Sequence, residues 1–171
     1  MAVPTTYDYS NRQVDLELLK SVVNPSQTFQ RVYPSVVTAP VKNGADPKSV
    51  TGIEKAIQRY TNLLLTNIDS VKFQEEKGSD LVIRVFNGSV SSTAVLNYLF
   101  YKASYNAMLL MATDDTNEGF GNQPDDEKIK DATLLNSYID YANATISLNI
   151  GITMVSGLNY TYVVPVKAGL S

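Results

Sequence analysis

The hydrophobic positions of this chain change period several times, and each change marks an element. Ile53, Ala56, Ile57, Tyr60, Leu63 and Leu64 recur every three or four residues, with Lys55, Gln58, Arg59 and Asn62 on the other face, the spacing of an amphipathic helix. Thr51, followed three residues later by Glu54, reads as a capping box that starts it. In DLVIRVF, Leu81, Ile83 and Val85 alternate with Val82, Arg84 and Phe86, which predicts a strand. Asn87-Gly88 then turns the chain. Ser91 or Ser92 can cap a second helix reaching about Ala112, whose wide stripe of Val95, Leu96, Leu99, Phe100, Ala103, Ala107, Leu110 and Met111 implies burial on more than one side.

A third helix is expected after Pro124, where Asp125, Asp126 and Glu127 would complement the helix dipole and Ile129, Ala132, Leu135 and Ile139 would face inward. From Thr145 the period becomes two. Ile146, Leu148, Ile150, Ile152 and Met154 alternate with Thr145, Ser147, Asn149, Gly151 and Thr153, then Ser156-Gly157 turns into Tyr160, Tyr162, Val164 and Val166. Residues 145–166 therefore read as an antiparallel hairpin, with Pro165 suited only to an edge or a strand end. An exposed edge accepts a strand from another chain.

Ahead of this domain, residues 1–48 hold Pro4, Pro25, Pro34, Pro40 and Pro47 among short apolar groups, a spacing that forbids a long helix and predicts an extended arm. Val14 to Val23 reads equally as a helical turn or a strand. The expected organisation is an arm over 1–48 and a single α+β domain over 49–171. Its fold class is α/β, more narrowly α+β: three main helices on a small mixed sheet that ends in the hairpin.

Composition narrows the chemistry. With 44% hydrophobic and 18% charged residues the chain is a globular one rather than a disordered one. A net charge of -3, with Lys and Arg scattered singly, gives no footprint for nucleic acid. Without His or Cys the commonest general base, zinc ligand and thiol nucleophile are gone. No SxxK or GxSxG stretch occurs, so no enzyme, cofactor or metal is expected. Asp114, Thr116, Glu118, Gly119, Phe120, Asn122 and Asp125 fall at calcium-loop positions, but the third position lacks a carboxylate or amide and the last is Asp rather than Glu, so the stretch reads as a solvated loop. The start of the chain has no basic, apolar leader and no segment is apolar enough to span a membrane, so a soluble, cytosol-made protein is expected. The sequons at Asn87, Asn143 and Asn159 then carry no meaning. Eleven tyrosines and no tryptophan suit an interaction protein, since Tyr joins an apolar body to a polar tip.

In order, VTGIEKAIQRYTNLLLTNIDSVKFQEEKGSDL, PDDEKIKDATLL and ISLNIGITMVSGLNYTYVVPV resemble the sheath-initiator family of contractile phage-tail baseplates, over about residues 50–166. Many members of that family carry a Glu-Pro-Arg triplet where this chain has Asn143-Ala144-Thr145. The resemblance implies a structural virion protein of the baseplate, assembled in the host cytoplasm in six copies around the tail tube. Its implied partners are the sheath protein, the tube and baseplate wedge or hub proteins, with neither nucleic acid nor membrane. It also implies templating of the sheath by strand exchange, for which Ile146, Leu148, Ile150, Ile152, Tyr160, Tyr162 and Val164 are the expected contact positions, with the arm touching wedge or tube. A tail-completion or head-to-tail connector ring, or a regulatory binding protein of related fold, is the alternative.

Overall fold

A computed structural model describes residues 15–16, 49–70, 76–117, 123–140 and 144–167. In chain order the elements are β1 (Asp15–Leu16), β2 (Ser49–Val50), α1 (Gly52–Leu65), α2 (Leu81–Phe86), α3 (Thr93–Asn117), β3 (Ile129–Asp140), β4 (Thr145–Met154) and β5 (Asn159–Lys167). The fold is α+β, as expected: three helices and a three-stranded sheet of order β3-β4-β5, antiparallel throughout. Of the expected arm, only the Asp15–Leu16 pair is described, and it runs antiparallel to Ser49–Val50. The remainder of 1–48, including the choice at Val14–Val23, lies outside the described residues.

α1 buries Ala56, Ile57, Tyr60 and Leu64, the stripe its spacing predicts. Two details differ from expectation. Thr51 is the N-cap residue, yet its hydroxyl makes no capping bond; the Gly52 N–H is instead taken by the carboxylate of Glu127 (2.9 Å). Lys55 and Gln58, expected on the wet face, are buried. Lys55 reaches the other Glu127 oxygen at 3.0 Å, so the carboxylate that ties the helix start also draws the ammonium inward.

The Leu81–Phe86 segment is a helix, not the strand its alternation predicts. Leu81 and Val85, four residues apart, are the buried pair, while Ile83 and Phe86 face solvent. Burial at i and i+4 is helical, and docking of those two side chains overrides the β-branched composition. α3 starts where Ser92 Oγ accepts the Val95 N–H (3.3 Å) and runs past Ala112 to Asn117. Leu96, Leu99, Phe100, Ala103, Ala107 and Met111 are buried, but Tyr98, Tyr101, Tyr105 and Leu109 are exposed, so one side of the helix stays wet.

The third predicted helix is also a strand. β3 covers Ile129–Asp140, and Asp125–Glu127 form the turn before it. Its register on β4 slips between Leu134 and Asn136, placing a bulge there. The hairpin stands as predicted: Ile146, Leu148, Ile150, Ile152, Met154, Tyr162, Val164 and Val166 are buried. They join the helix residues in one core, α3 lying against β3 and α2 against β5. Each large side chain so buried contributes roughly 1.5–3 kcal/mol.

Two hydroxyl pairs interrupt this core. Tyr60 donates to Ser104 Oγ at 2.8 Å, and Thr61 Oγ1 meets the Tyr162 hydroxyl at 3.4 Å. Burial pushes both phenols far above their ordinary range, so they act as neutral hydrogen-bonding groups.

Candidate docking edges of the sheet

The bonds at the tip of the hairpin decide which backbone groups of the sheet are left for a partner. The Gly157 N–H reaches the Met154 carbonyl (2.9 Å) and the Met154 N–H reaches the Leu158 carbonyl (2.8 Å), with Gly157 at φ 87. This is a type I turn closed by a glycine bulge. Met154 and Leu158 are thus a hydrogen-bonded pair. Bonding alternates along an antiparallel ladder, so the even residues of β4 bond β5 and the odd ones bond β3.

The central strand is therefore fully used. Ile146, Leu148, Ile150 and Ile152, expected to receive a partner strand, are buried on β4 between two neighbours. Strand addition along β4 is closed in this fold. The other expected positions, Tyr160, Tyr162 and Val164, lie on β5, which is an edge strand. These three use their backbone groups toward β4, and the outward groups belong to Asn159, Thr161, Val163 and Lys167.

Pro165 pairs with Ser147 at a position where β5 does not bond β4. Its missing N–H costs the ladder nothing and instead removes a donor from the outer edge. Among the described residues β5 thereby keeps unpaired outward groups at Asn159 and Thr161, while Val163 is buried and the strand is blunted beyond, a common protection for an edge strand.

At the other side of the sheet, β3 points the backbone groups of Ala132, Leu134, Ser137 and Ile139 outward, because each is opposite an even residue of β4. It has no proline in its 12 residues. Leu135 (54% exposed) and Tyr138 (64%) are the large apolar side chains that the strands leave in solvent. Leu135 lies over Gly151, where a Cβ would sit 3.2 Å from its side chain. Periodicity missed this edge because the bulge at Leu134–Asn136 disguises the strand.

Beside these edges, Asn149 is 3% exposed and neither atom of its amide is paired among the described residues. A shallow cavity of about 330 Å³ between α3 and the chain before α2 is lined by Ile68, Ser79, Asp80, Lys102, Tyr105 and Asn106. Asp80, Lys102, Ser79 and Asn106 are engaged within the fold. Arg84 (2.6 Å) and Lys102 (3.1 Å) hold Asp80, Ser79 Oγ donates to the Leu64 carbonyl and Asn106 to the Gly78 carbonyl. Partial burial raises the Asp80 pKa, but the two cations outweigh it and hold the carboxyl below its ordinary range.

Among the described residues no group of His, Cys, Asp and Glu could hold a metal ion, and no helix is long and apolar enough to cross a membrane. Residues 118–122 of the calcium-like stretch lie outside the described residues. Comparison with family models, with curated proteins and with solved structures gives no match.

Proposed function

We propose that this chain is a structural assembly protein of a contractile tail baseplate, joining baseplate and tube to the first sheath ring and templating the sheath by strand addition. The observation that carries this reading is the outer side of β5. It is the last strand of the sheet, and at Asn159 and Thr161 it presents backbone groups that no described strand takes. The resemblance of the segments over residues 50–166 to sheath initiators supplies the partner: an arm of the sheath subunit. Main-chain bonds would give the affinity and alternate side chains the register. The protein would then reside in the virion tail, in six copies, with no catalytic role and no cofactor.

Because β4 is central, deleting the hairpin would unfold the domain. A point change on the edge is the informative one. Thr161 is opposite Gly151 and does not bond β4, so Thr161→Pro removes an outward donor and leaves the ladder whole. Purified protein is incubated with tube–baseplate complexes and sheath subunits and imaged by electron microscopy. The expected result is six-fold density beneath the first sheath ring with the natural chain, and bare tubes with Thr161→Pro. Rings formed by the protein alone, or full sheaths with the variant, would overturn the reading.

A further inference from the structure

α3 is apolar on both of its sides. Between Thr93 and Thr113 its single charged residue is Lys102. The inner side gives Leu96, Leu99, Phe100 and Ala107 to the core, while the outer side leaves Tyr98 (68% exposed), Tyr101 (49%), Tyr105 (68%) and Leu109 (51%) in solvent. α1 has the ordinary pattern of a surface helix, with Glu54, Arg59 and Asn62 among the residues it does not bury. A helix that is apolar all round is normally covered all round.

We propose that the outer side of α3 packs antiparallel against α3 of a second copy of this chain, about a two-fold axis level with Ala103. The order of residues selects this occupant. Ala94, Tyr98, Tyr101, Tyr105, Met108 and Ala112 follow one another at spacings of 4, 3, 4, 3 and 4, the period of a helix-pairing seam. That series reads the same in both directions. It has alanine at each end, a large side chain next, and two tyrosines in the middle.

An antiparallel copy therefore sets Tyr101 beside Tyr105, Tyr98 beside Met108 and Leu109, and Ala94 beside Ala112, each contact made twice. This is the self-complementarity that a two-fold interface requires. Ring–ring and sulfur–ring neighbours of this kind are favourable. The Tyr101 ring is already held edge-on by the buried Phe100, with centroids 5.7 Å apart and planes at 74°, so little of its freedom is left to lose on pairing.

Charge and area agree. An anionic lipid surface calls for several basic residues along the apolar side, and here Lys102 stands alone with its ammonium 3.1 Å from Asp80. In the pair the two Lys102 side chains come near each other beside the axis, and Asp80 of each copy takes up part of that charge. With about 150–250 Å² on each tyrosine, the four exposed side chains hold roughly 400–500 Å² of open surface. Two copies bury about 800–1,000 Å² before the alanines and the Lys102 stem are added, the size at which a specific but weak interface begins. The expected dissociation constant is about 1–100 μM.

Sedimentation velocity of the full chain across a concentration series tests this. The natural chain should be a reversible dimer. Tyr105→Glu and Tyr101→Lys each change an exposed side chain to a good helix former, and each alone should weaken the dimer roughly tenfold or more with circular dichroism unchanged. An equimolar mixture of the two should dimerise at concentrations where each alone is monomeric, because the register puts position 101 of one copy beside position 105 of the other. Tyr138→Glu, at a comparably exposed position on β3, should leave the dimer as it is. Should an α3 variant lose its fold, Tyr98→Lys replaces it and must weaken the dimer in its turn. A monomer at every concentration, a dimer that the α3 variants leave intact, a mixture without recovery, or equal weakening by Tyr138→Glu overturns the proposal. The pairing rests on α3 and not on the tail assignment, so loss of sheath templating in Thr161→Pro leaves this result untouched.

Discussion

Replacing Glu127 by alanine tests how the two halves of the chain are joined. Its carboxylate accepts the Gly52 N–H at 2.9 Å and Lys55 Nζ at 3.0 Å, and the two side chains are 2% and 6% exposed. Truncation takes a carboxylate away from a buried ammonium and opens the first turn of α1. Removing one member of a buried pair costs roughly 3–5 kcal/mol, a large share of the roughly 5–15 kcal/mol that holds a domain together. For a chain of this size that is a fall of roughly 6–20 °C in Tm. Urea denaturation followed by circular dichroism gives the difference directly. The double variant Lys55→Met with Glu127→Leu should recover the part of the loss due to the buried ammonium, because apolar replacement of both partners removes the desolvation cost along with the attraction, but not the part due to the Gly52 N–H, which stays without its acceptor. A loss below about 1 kcal/mol for Glu127→Ala would refute the reasoning and class the pair with surface ion pairs.

Glycines offer a paired prediction. Gly78→Ala should destabilise by roughly 2–4 kcal/mol, because a Cβ there would sit 2.4 Å from the Thr66 carbonyl oxygen at φ +111; Gly157→Ala, with φ +87 and open space around it, should cost only about 1 kcal/mol. Chemical denaturation of both separates steric exclusion from backbone strain. Asn149→Val should raise stability by roughly 1–2 kcal/mol, since it removes two buried unpaired amide atoms from the centre of β4. A loss of stability on the same assay would sink that argument.

What the sequence disclosed depended on how far one face of an element alone met the core. β4 has odd residues toward one side and even toward the other without interruption, so its ten residues were legible as a strand. α1 and α3 were legible for the same reason at helical period. In β3 the bulge shifts parity between Leu134 and Asn136, and the apolar residues left at 129, 132, 135 and 139 mimic a helix. α2 failed the opposite way: six residues of strand-like composition are helical because Leu81 and Val85 both reach the core. The β5 edge could be read from Pro165. The β3 edge could not, because the strand itself was hidden. Glu127, expected to serve its own helix, serves the start of α1 instead, a contact no local pattern encodes.

That contact also sets an order of events on the ribosome. The N–H of Gly52 waits for an acceptor 75 residues further on, which at about 5–20 residues per second is a delay of roughly 4–15 s. β3 then has to wait for β4, and β4 for β5, before its backbone ladder is paired. Until Lys167 has emerged, the nascent chain carries long apolar helices with no sheet beneath them. A chaperone acting while β3 to β5 are being made would therefore protect this protein more than one acting during α1, and truncation within β5 would release a chain that had never been folded at all.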